Sequence, residues 1–255
     1  MGMSDADDPK TEEWVKAPGE IPAGSLVYVL GDVHGRADLL DLAFHRIAQD
    51  AKKSSAERRV CILLGDVIDR GPESSTTVDM LLDPPLDGFQ VITLLGNHEE
   101  FLMTFLSDPS VGSLWLHNGG QETVESYGVE TDDPEWDGQN YDHVRDALEA
   151  SLPIAHLMFF QGLKPFHREG SYYFAHAGVR PGVALEAQKI ADLAWIREPF
   201  LSSKAHHGAI IVHGHSITRT PDIHPNRIGL DTGAYASGNL TCLVLEQNRM
   251  KFLKV

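Results

Sequence analysis

The chain has 255 residues, enough for one large α/β domain that buries its core without disulfide staples. Asp and Glu number 37 against 21 Lys and Arg, which gives a formal net charge of −16. Such an acidic surface repels nucleic acid and anionic lipid, so neither is an expected partner. No apolar run reaches the ~20 residues of a membrane-spanning helix, and the N-terminus lacks the pattern of a signal peptide. We therefore expect a soluble cytoplasmic protein.

Residues 1–24 are acidic and rich in Pro and Gly. We expect them to form a weakly ordered tail or a strap on a single domain of residues 25–255. The domain opens with three repeats of one pattern, in which a short apolar run is followed by a polar turn and a helical stretch. The runs LVYVL, VCILL and FQVITLL precede the turns Gly31-Asp32, Gly65-Asp66 and Gly96-Asn97, and the helical stretches are ADLLDLAFHRIAQ, ESSTTVDMLL and HEEFLMTFL.

Three successive strand–turn–helix units predict parallel strands joined by right-handed crossovers. In parallel sheets, ligands collect at the carboxyl ends of the strands. Asp32, Asp66 and Asn97 follow the three predicted strands directly. The sequence therefore predicts that these three side chains lie along one edge of a sheet.

The pattern loosens from about residue 108 to 155, where we expect two short helices around an acidic loop that form an insertion or lid beside the site. The remaining chain is interpreted as mostly β, in the runs HLMFF, YYFAHAG, AIIVHGH, RIGLDTG, NLTCLVLE and MKFLKV. These strands predict a second sheet, mixed or antiparallel, packed on the first. Cys61 and Cys242 lie in apolar runs and are expected to be small buried residues in a reduced core.

Polar residues at the predicted strand ends form five short motifs in chain order, GDVHG, GDVIDRG, GNHE, HAG and HGH. Their carboxylate, imidazole and amide groups are the donors expected for a pair of Mn, Fe or Zn ions. Flanking glycines let the backbone turn sharply. Asp32 and His34 are two residues apart, so both point to the same side of an extended strand end. One carboxylate, Asp66, can bridge two ions.

These five motifs resemble those of the phosphoprotein phosphatases, the metallophosphoesterases that include protein serine/threonine phosphatases and bacterial diadenosine tetraphosphatases. The motifs run from residue 31 to residue 215, and LDTGAYASGNLTCLVLE is also similar to bacterial members. The resemblance implies an α/β fold of the calcineurin-like type, in which two mixed β-sheets pack as a central sandwich flanked by helices.

The resemblance also implies a role for each matching position. Two divalent metal ions, Mn in preference to Fe or Zn, would be held by six ligands. Asp32 and His34 would bind the first ion, Asn97, His176 and His215 the second, and Asp66 would bridge both. His98 would be the general acid steadied by Asp69, while Arg70 and Arg197 would grip the phosphate oxygens.

The motif His213-Gly214-His215 offers two candidate ligands. The wider superfamily often ends in Gly-His-x-His, whereas this chain has Ile217 where the second histidine would stand. Phosphoprotein phosphatases lack that histidine too. The resemblance therefore favours His215 as the ligand and places His213 on the sheet or behind the ligands.

Three functions agree with these motifs to different degrees. Two metal ions roughly 3.5–4 Å apart would make a shared water acidic enough to supply hydroxide at neutral pH. A binding module without catalysis is disfavoured, because His98 and every expected ligand are present. The first hypothesis is a protein serine/threonine phosphatase that also acts on phosphotyrosine and aryl phosphates, and the alternative is a dinucleoside polyphosphate hydrolase.

The acidic loop of the insert is the sequence feature that separates the two hydrolases. Its carboxylates would repel a highly anionic dinucleotide if the loop lay over the site, and they are Glu130, Asp132, Asp133, Glu135 and Asp137. Trp136 and Tyr141 are its stacking candidates. The loop therefore favours a phosphorylated protein or a small phosphoester as substrate. Nothing in the sequence indicates an oligomeric state.

Overall fold

The computed structural model describes residues 12–130 and 141–255. The strands of these ranges, in chain order, are β1 (Val15–Lys16), β2 (Ser25–Leu30), β3 (Arg58–Leu63), β4 (Phe89–Thr93), β5 (His167–Glu169), β6 (Tyr172–Phe174), β7 (Ile210–His213), β8 (Asp222–Ile223), β9 (Arg227–Gly229), β10 (Cys242–Glu246) and β11 (Arg249–Leu253). The helices are α1 (Ala37–Ala51), α2 (Ser74–Leu82), α3 (Asn97–Ser107), α4 (Gly112–Trp115), α5 (Gln121–Ser126), α6 (Asp142–Ser151), α7 (Ile154–Gly162), α8 (Ile190–Trp195) and α9 (Ala234–Ser237). A π-helical turn, Leu116–Gly120, joins α4 to α5.

The first sheet has the strand order β1-β11-β10-β2-β3-β4. Its strands β2, β3 and β4 are parallel, and each is followed by a helix, so the three predicted strand–turn–helix units are confirmed. The antiparallel strands β10 and β11 extend the sheet on the other side of β2. Every residue of β2 is buried, as expected for a strand that is covered on both faces.

The second sheet has the order β5-β6-β7-β9-β8, with parallel strands in the centre and antiparallel ones at both edges. Side chains alternate along β2, so Val27 and Val29 face this sheet and pack with Phe174, Val212 and Ile228. This confirms two mixed sheets packed face to face.

Helices cover the outer faces of the sandwich. Tyr28 and Leu30, on the opposite side of β2, pack with Phe44 and Ile47 of α1. On the far side of the second sheet, Leu193 of α8 packs with residues of β6 and β7. The predicted α/β class, with flanking helices around a central sandwich, is therefore confirmed. No helix in residues 12–130 or 141–255 combines the length and the apolar character needed to cross a bilayer.

The prediction of a strand at HLMFF is wrong, because this run lies inside helix α7. A short apolar run has no periodicity that separates a buried strand from a helix, and Pro153 directly before α7 favours a helix start. His156 and Phe160, four residues apart, are buried, whereas Met158 between them is 64% exposed. That spacing buries one face of a helix, where a strand would have buried alternate residues.

The insert contains more helix than the two short helices predicted, since α4, the π-helical turn, α5 and α6 all lie between residues 108 and 155. The helices are separated by Gly and Pro residues, which obscured their boundaries in the sequence. Asp132, Asp133, Glu135, Trp136 and Asp137 of the acidic loop lie outside the described residues.

The described part of the N-terminal segment, residues 12–24, contributes the edge strand β1 to the first sheet. β1 pairs with β11 in antiparallel fashion, and Ala17 and Ile21 are buried. The Arg249 guanidinium and the Lys251 ammonium lie 4.3 Å and 4.8 Å from the ring centre of Trp14. This part of the N-terminal segment is thus attached to the sheet by backbone pairing and by cation–π contacts.

Candidate active site

The predicted ligands are buried at the ends of strands. Asp32 and His34 follow β2, Asp66 follows β3, and Asn97 begins α3 after β4. The other two follow strands of the second sheet, His176 after β6 and His215 after β7. Three loops from one sheet and two from the other therefore meet across the top of the sandwich.

Asp66 lies at the centre of this group. Its Oδ2 atom is 3.3 Å from Nε2 of His176, 3.7 Å from Nε2 of His34 and 3.9 Å from Nε2 of His98. Two sets of side chains with the spacing of metal ligands share this residue, namely His34, Asp66 and His98, and Asp66, His176 and His215. The bridging position predicted for Asp66 corresponds to its place in both sets.

Asn97 joins the second set through its side-chain oxygen. Its Oδ1 atom lies 3.0 Å from Nε2 of His176 and 2.7 Å from Nδ1 of His215. An amide oxygen, two imidazole nitrogens and the Asp66 carboxylate therefore converge on one point. This is the mixed oxygen and nitrogen donor set that Mn, Fe and Zn accept.

Backbone carbonyls fix the protonation of two of the imidazoles. Nδ1 of His34 is 2.9 Å from the carbonyl of Ile68, and Nδ1 of His176 is 3.0 Å from the carbonyl of Leu64. A carbonyl only accepts, so Nδ1 carries the hydrogen in both rings. Each Nε2 thus faces the Asp66 group, as in metal-ligating histidines whose second nitrogen donates to the backbone.

Asp32 provides an independent test of whether a cation fits. Its Oδ2 atom accepts the backbone N–H of His215 at 3.0 Å, whereas the buried Oδ1 atom has no hydrogen-bond partner among the described residues. Burial, and then the neighbouring Asp231 carboxylate, raises the pKa of Asp32 well above its usual range. A buried carboxyl group whose charged form lacks a counter-charge, and whose oxygen lacks a partner, fits a divalent cation.

The chain approaches Asp32 too closely to allow a side chain at Gly214. A Cβ atom on Gly214 would lie 1.9 Å from Oδ1 of Asp32. The glycine between His213 and His215 therefore lets the strand end pass directly over the carboxylate. Directly after this glycine, His215 has a φ of +62°, and its ring contacts the side chain of Asn97.

Two of the predicted ligand imidazoles are held in the neutral form that a metal requires. Burial lowers the pKa of His34 to about 3, despite the nearby Asp66 carboxylate. Burial, followed by the charge of His176, lowers the pKa of His215 to about 3. A neutral ring keeps the lone pair through which imidazole binds a metal.

His213 contacts other groups. Its Nδ1 atom is 3.0 Å from the carbonyl of Gly214, and Nε2 is 3.4 Å from Nη1 of Arg227. The ring packs edge-on against Phe200 and belongs to neither set around Asp66. These contacts agree with the predicted position of His213 behind the proposed metal ligands.

His98 and Asp69 form a buried pair. Nδ1 of His98 lies 2.6 Å from Oδ2 of Asp69, which leaves Nε2 facing the Asp66 group. Burial opposes the charged ring, but Asp66 and then Asp69 outweigh it and raise the pKa of His98 above its ordinary value. A protonated imidazole held in this way can deliver a proton toward the Asp66 group.

The two predicted arginines contact opposite sides of the group. Nη1 of Arg70 donates to Nε2 of His34 at 2.7 Å, and Nε of Arg197 donates to Nε2 of His215 at 3.2 Å. An anion bound between them would meet a guanidinium from each side.

A cleft of about 370 Å³ opens over the site, and a second cavity of about 500 Å³ adjoins it through Arg70 and Asn118. The cleft is lined by Arg70, Asn97, His98, Phe101, Leu114, Asn118, Trp195, Arg197 and His215. Leu114 and Trp195 are exposed at its mouth. A ligand therefore meets polar groups at the floor and an apolar wall above them.

Unusual backbone conformations concentrate at the same place. In the part of the chain that the structure describes, six residues other than glycine have positive φ, and five of them are predicted site residues, namely His34, Asp66, Asp69, Arg70 and His215. Each such conformation costs free energy that the surrounding structure must offset. Backbone strain thus marks the residues that the motifs identified.

The sequence analysis missed several residues that support the site. Glu99 accepts backbone N–H groups from Gly96, Asp66, Val67 and Ile68 at 2.8–3.3 Å, and so joins the loops after β3 and β4. Its place as the last letter of GNHE could have indicated such a role.

Tyr235 was missed although it lies in LDTGAYASG, a segment already noted. The Arg70 guanidinium lies 5.0 Å from its ring centre, and the ring meets His34 edge-on at 5.5 Å. Trp115 and Thr123 contact Asp69 from the insert, and no motif could have indicated them.

Known proteins resemble this chain in sequence and in fold. The profile of the calcineurin-like phosphoesterases matches residues 25–226. Serine/threonine-protein phosphatase 2 of Salmonella typhimurium is 30% identical over 229 residues, which cover 84% of this chain and 90% of the relative. Bis(5'-nucleosyl)-tetraphosphatase PrpE (asymmetrical) of Anoxybacillus flavithermus is 23% identical over 241 residues, 84% of this chain and 88% of the relative.

One solved structure superposes on this chain with a TM-score of 0.62 at 19% identity, and its name describes a candidate diadenosine tetraphosphatase. The superposition covers 92% of this chain and 98% of the other. That likeness supports the fold. The profile match covers most of the chain and includes the residues grouped around Asp66. The chain therefore belongs to the calcineurin-like phosphoesterase family and is a metallophosphoesterase.

Proposed function

We propose that this metallophosphoesterase is a protein phosphatase that hydrolyses phosphoserine and phosphothreonine esters. The observation that carries the proposal is the supply of positive charge around the cleft. Of the described residues that line the cleft and the adjoining cavity, two are permanently positive, Arg70 and Arg197. Two guanidinium groups match the oxygens of a single phosphate.

The site's own residues divide the chemical work. Arg70 and Arg197 would hold the phosphate between the two sets of ligands, close to Asp66. His98 would give the proton on Nε2 to the leaving oxygen, while Asp69 holds Nδ1 and favours the charged ring. Bound metal ions would supply Lewis-acid charge and a more acidic water.

We propose two divalent ions at this site, with manganese as the native metal and iron or zinc as alternatives. Asp32, His34 and Asp66 would hold one ion, and Asp66, Asn97, His176 and His215 the other. The shared position of Asp66, the unpaired oxygen of Asp32 and the tautomers of His34 and His176 support this assignment.

Removal of metal is expected to abolish phosphatase activity. Chelation followed by dialysis should leave the protein inactive, and added Mn²⁺ should restore more activity than Fe²⁺ or Zn²⁺ because the donors are mainly oxygen and imidazole nitrogen. The measurement is turnover of p-nitrophenyl phosphate together with elemental analysis of each sample. Full activity in metal-free protein would contradict the metal proposal.

A dinucleoside polyphosphate hydrolase is the second candidate, and one observation favours it. The indole of Trp195 is 38% exposed at the mouth of the cleft, two residues before Arg197. It packs edge-on against Phe101 at 4.9 Å, which supports the ring and leaves a face for a planar base. The relative PrpE, which is 23% identical, is named as a tetraphosphatase.

A comparison of two substrates separates the candidates. A phosphothreonine peptide presents one phosphate, whereas diadenosine tetraphosphate presents four linked phosphates, more than two guanidinium groups can match. We therefore expect a higher kcat/KM for the peptide. A dinucleotide preference of tenfold or more, about 1.4 kcal/mol in the transition state, would replace the first function with the second. Asp66→Asn protein, purified in parallel, controls for contaminating phosphatases.

We propose that the protein works in the cytoplasm. Cys61 and Cys242 are buried free thiols, and reduced cysteines are typical of cytoplasmic proteins.

A further inference from the structure

The insert supplies hydrogen bonds to the carboxylate that holds His98. Asp69 is fully buried. Its Oδ2 atom, which lies 2.6 Å from Nδ1 of His98, also accepts the indole N–H of Trp115 at 2.9 Å. Its Oδ1 atom accepts the hydroxyl of Thr123 at 2.5 Å. Both oxygens of one buried carboxylate are therefore bound by residues that lie about fifty positions further along the chain.

Thr123 also contacts the backbone of Asp69. The N–H of Asp69 lies 2.9 Å from Oγ1 of Thr123 and 3.0 Å from Oγ of Ser74, and the two hydroxyl oxygens are 2.9 Å apart. Asp69 has a φ of +72°, which a residue with a side chain adopts only when neighbouring groups hold it there. Thr123 thus fixes both the carboxylate and the strained backbone that carries it.

Trp115 is held rigidly enough to direct its N–H. The side chain is fully buried at the end of α4 and packs on Phe105 with ring centres 4.9 Å apart. Gly120 lies against the other part of the ring, where a Cβ atom would approach Cδ2 of Trp115 to 2.5 Å. These neighbours hold the indole where its N–H meets Asp69.

A buried tryptophan usually finds some acceptor for its N–H, so burial alone would make Trp115 an ordinary core residue. The identity of the acceptor distinguishes it. Trp115 shares the Oδ2 atom with His98, so the direction of the Asp69–His98 hydrogen bond depends on where the indole lies. Loss of the indole N–H would remove one of the two hydrogen bonds by which the insert holds the carboxylate, and the orientation of His98 would be less firmly fixed.

We propose that Trp115 and Thr123 are positioning residues, which orient Asp69 so that Nε2 of His98 points at the leaving oxygen of the substrate. The proposal rests on the proposed function, in which His98 is the general acid. It gives residues 112–126 of the insert an indirect part in proton transfer, through Asp69. The hydrogen bonds of Trp115 and Thr123 to Asp69 involve none of the proposed metal ligands.

Two variants remove one donor each and keep the packing close to the original. Trp115→Phe retains an aromatic ring but loses the N–H, and Thr123→Val keeps the shape but loses the hydroxyl. Thr123→Ser restores the hydroxyl and should recover activity. Trp14→Phe on the first sheet and Thr104→Val on the exposed face of α3 are matched controls, and both should behave as wild type.

The readout is kcat/KM on a phosphothreonine peptide and on p-nitrophenyl phosphate, with metal content and thermal unfolding measured for every variant. The peptide has a poor leaving group that needs a proton, whereas nitrophenolate needs little protonation. We expect Trp115→Phe and Thr123→Val to lower peptide hydrolysis by about tenfold to hundredfold and nitrophenyl ester hydrolysis by less than about threefold, with metal content unchanged.

Equal losses on both substrates, loss of metal, or no loss in Thr123→Val would overturn the proposal. If Trp115→Phe does not fold, Thr123→Val and its serine rescue decide the question alone. Wild-type protein that hydrolyses neither monoester would instead overturn the proposed function, and this inference with it. The two failures are therefore distinguishable in the same experiment.

Discussion

Replacement of His98 by asparagine is expected to lower turnover of a phosphoserine or phosphothreonine peptide by about 10²–10⁴, the usual range for loss of a general acid. Asparagine has no acidic proton to replace the one that the imidazole would carry on Nε2, the nitrogen that faces the Asp66 group. The residue is not among the ligands proposed for the metals, so bound metal should remain. Steady-state kinetics and elemental analysis measure both quantities.

The same variant should lose less activity on p-nitrophenyl phosphate, because that leaving group departs without much protonation. His45→Asn is the matched control, since His45 is exposed on α1 and contacts the neighbouring Asp41. The assignment of His98 as the acid would fail if the variant were equally impaired on alkyl and aryl esters.

Asp66→Asn is expected to lose most of the bound metal and with it nearly all activity. Asp66 belongs to both sets of candidate ligands, and asparagine removes its charge and one of its oxygens. The Glu99 carboxylate accepts the backbone N–H of residue 66, and the substitution leaves this hydrogen bond in place. Elemental analysis of variant and wild type after identical loading with Mn²⁺ makes the comparison.

His213→Ala is the paired control, and it should retain both ions because its ring contacts Gly214 and Arg227 instead of the Asp66 group. His215→Ala should lose at least one ion, since Nδ1 of His215 meets Asn97. If His213→Ala lost an ion while His215→Ala kept two, the assignment within this motif would be reversed.

The sequence was most informative where a strand ends. Asp32, Asp66 and Asn97 each follow an apolar run, and parallel strands bring their carboxyl ends to one edge, so the pattern alone predicted the meeting of these side chains. No Gly-Asp or Gly-Asn turn follows the run HLMFF, and its local pattern could not distinguish a strand from a helix.

The contacts that the insert makes with the site could not be predicted. Trp115 and Thr123 reach Asp69 over 46 and 54 residues, and their positions depend on how the helices of the insert pack. The same limit applies to the positive φ angles at Asp69 and Arg70, because a single sequence does not reveal how strongly the surroundings hold a strained turn.

The position of β10 has a consequence for the order in which the protein can assemble. β10 lies between β11 and β2, so β2, which begins at Ser25, gains its second neighbour only after residues 242–246 have left the ribosome. The backbone N–H of Gly31, next to Asp32, likewise bonds the carbonyl of Thr241. A nascent chain that stops before residue 241 therefore leaves an apolar strand edge open and Asp32 without its neighbouring support, a state prone to aggregation and in need of protection during synthesis.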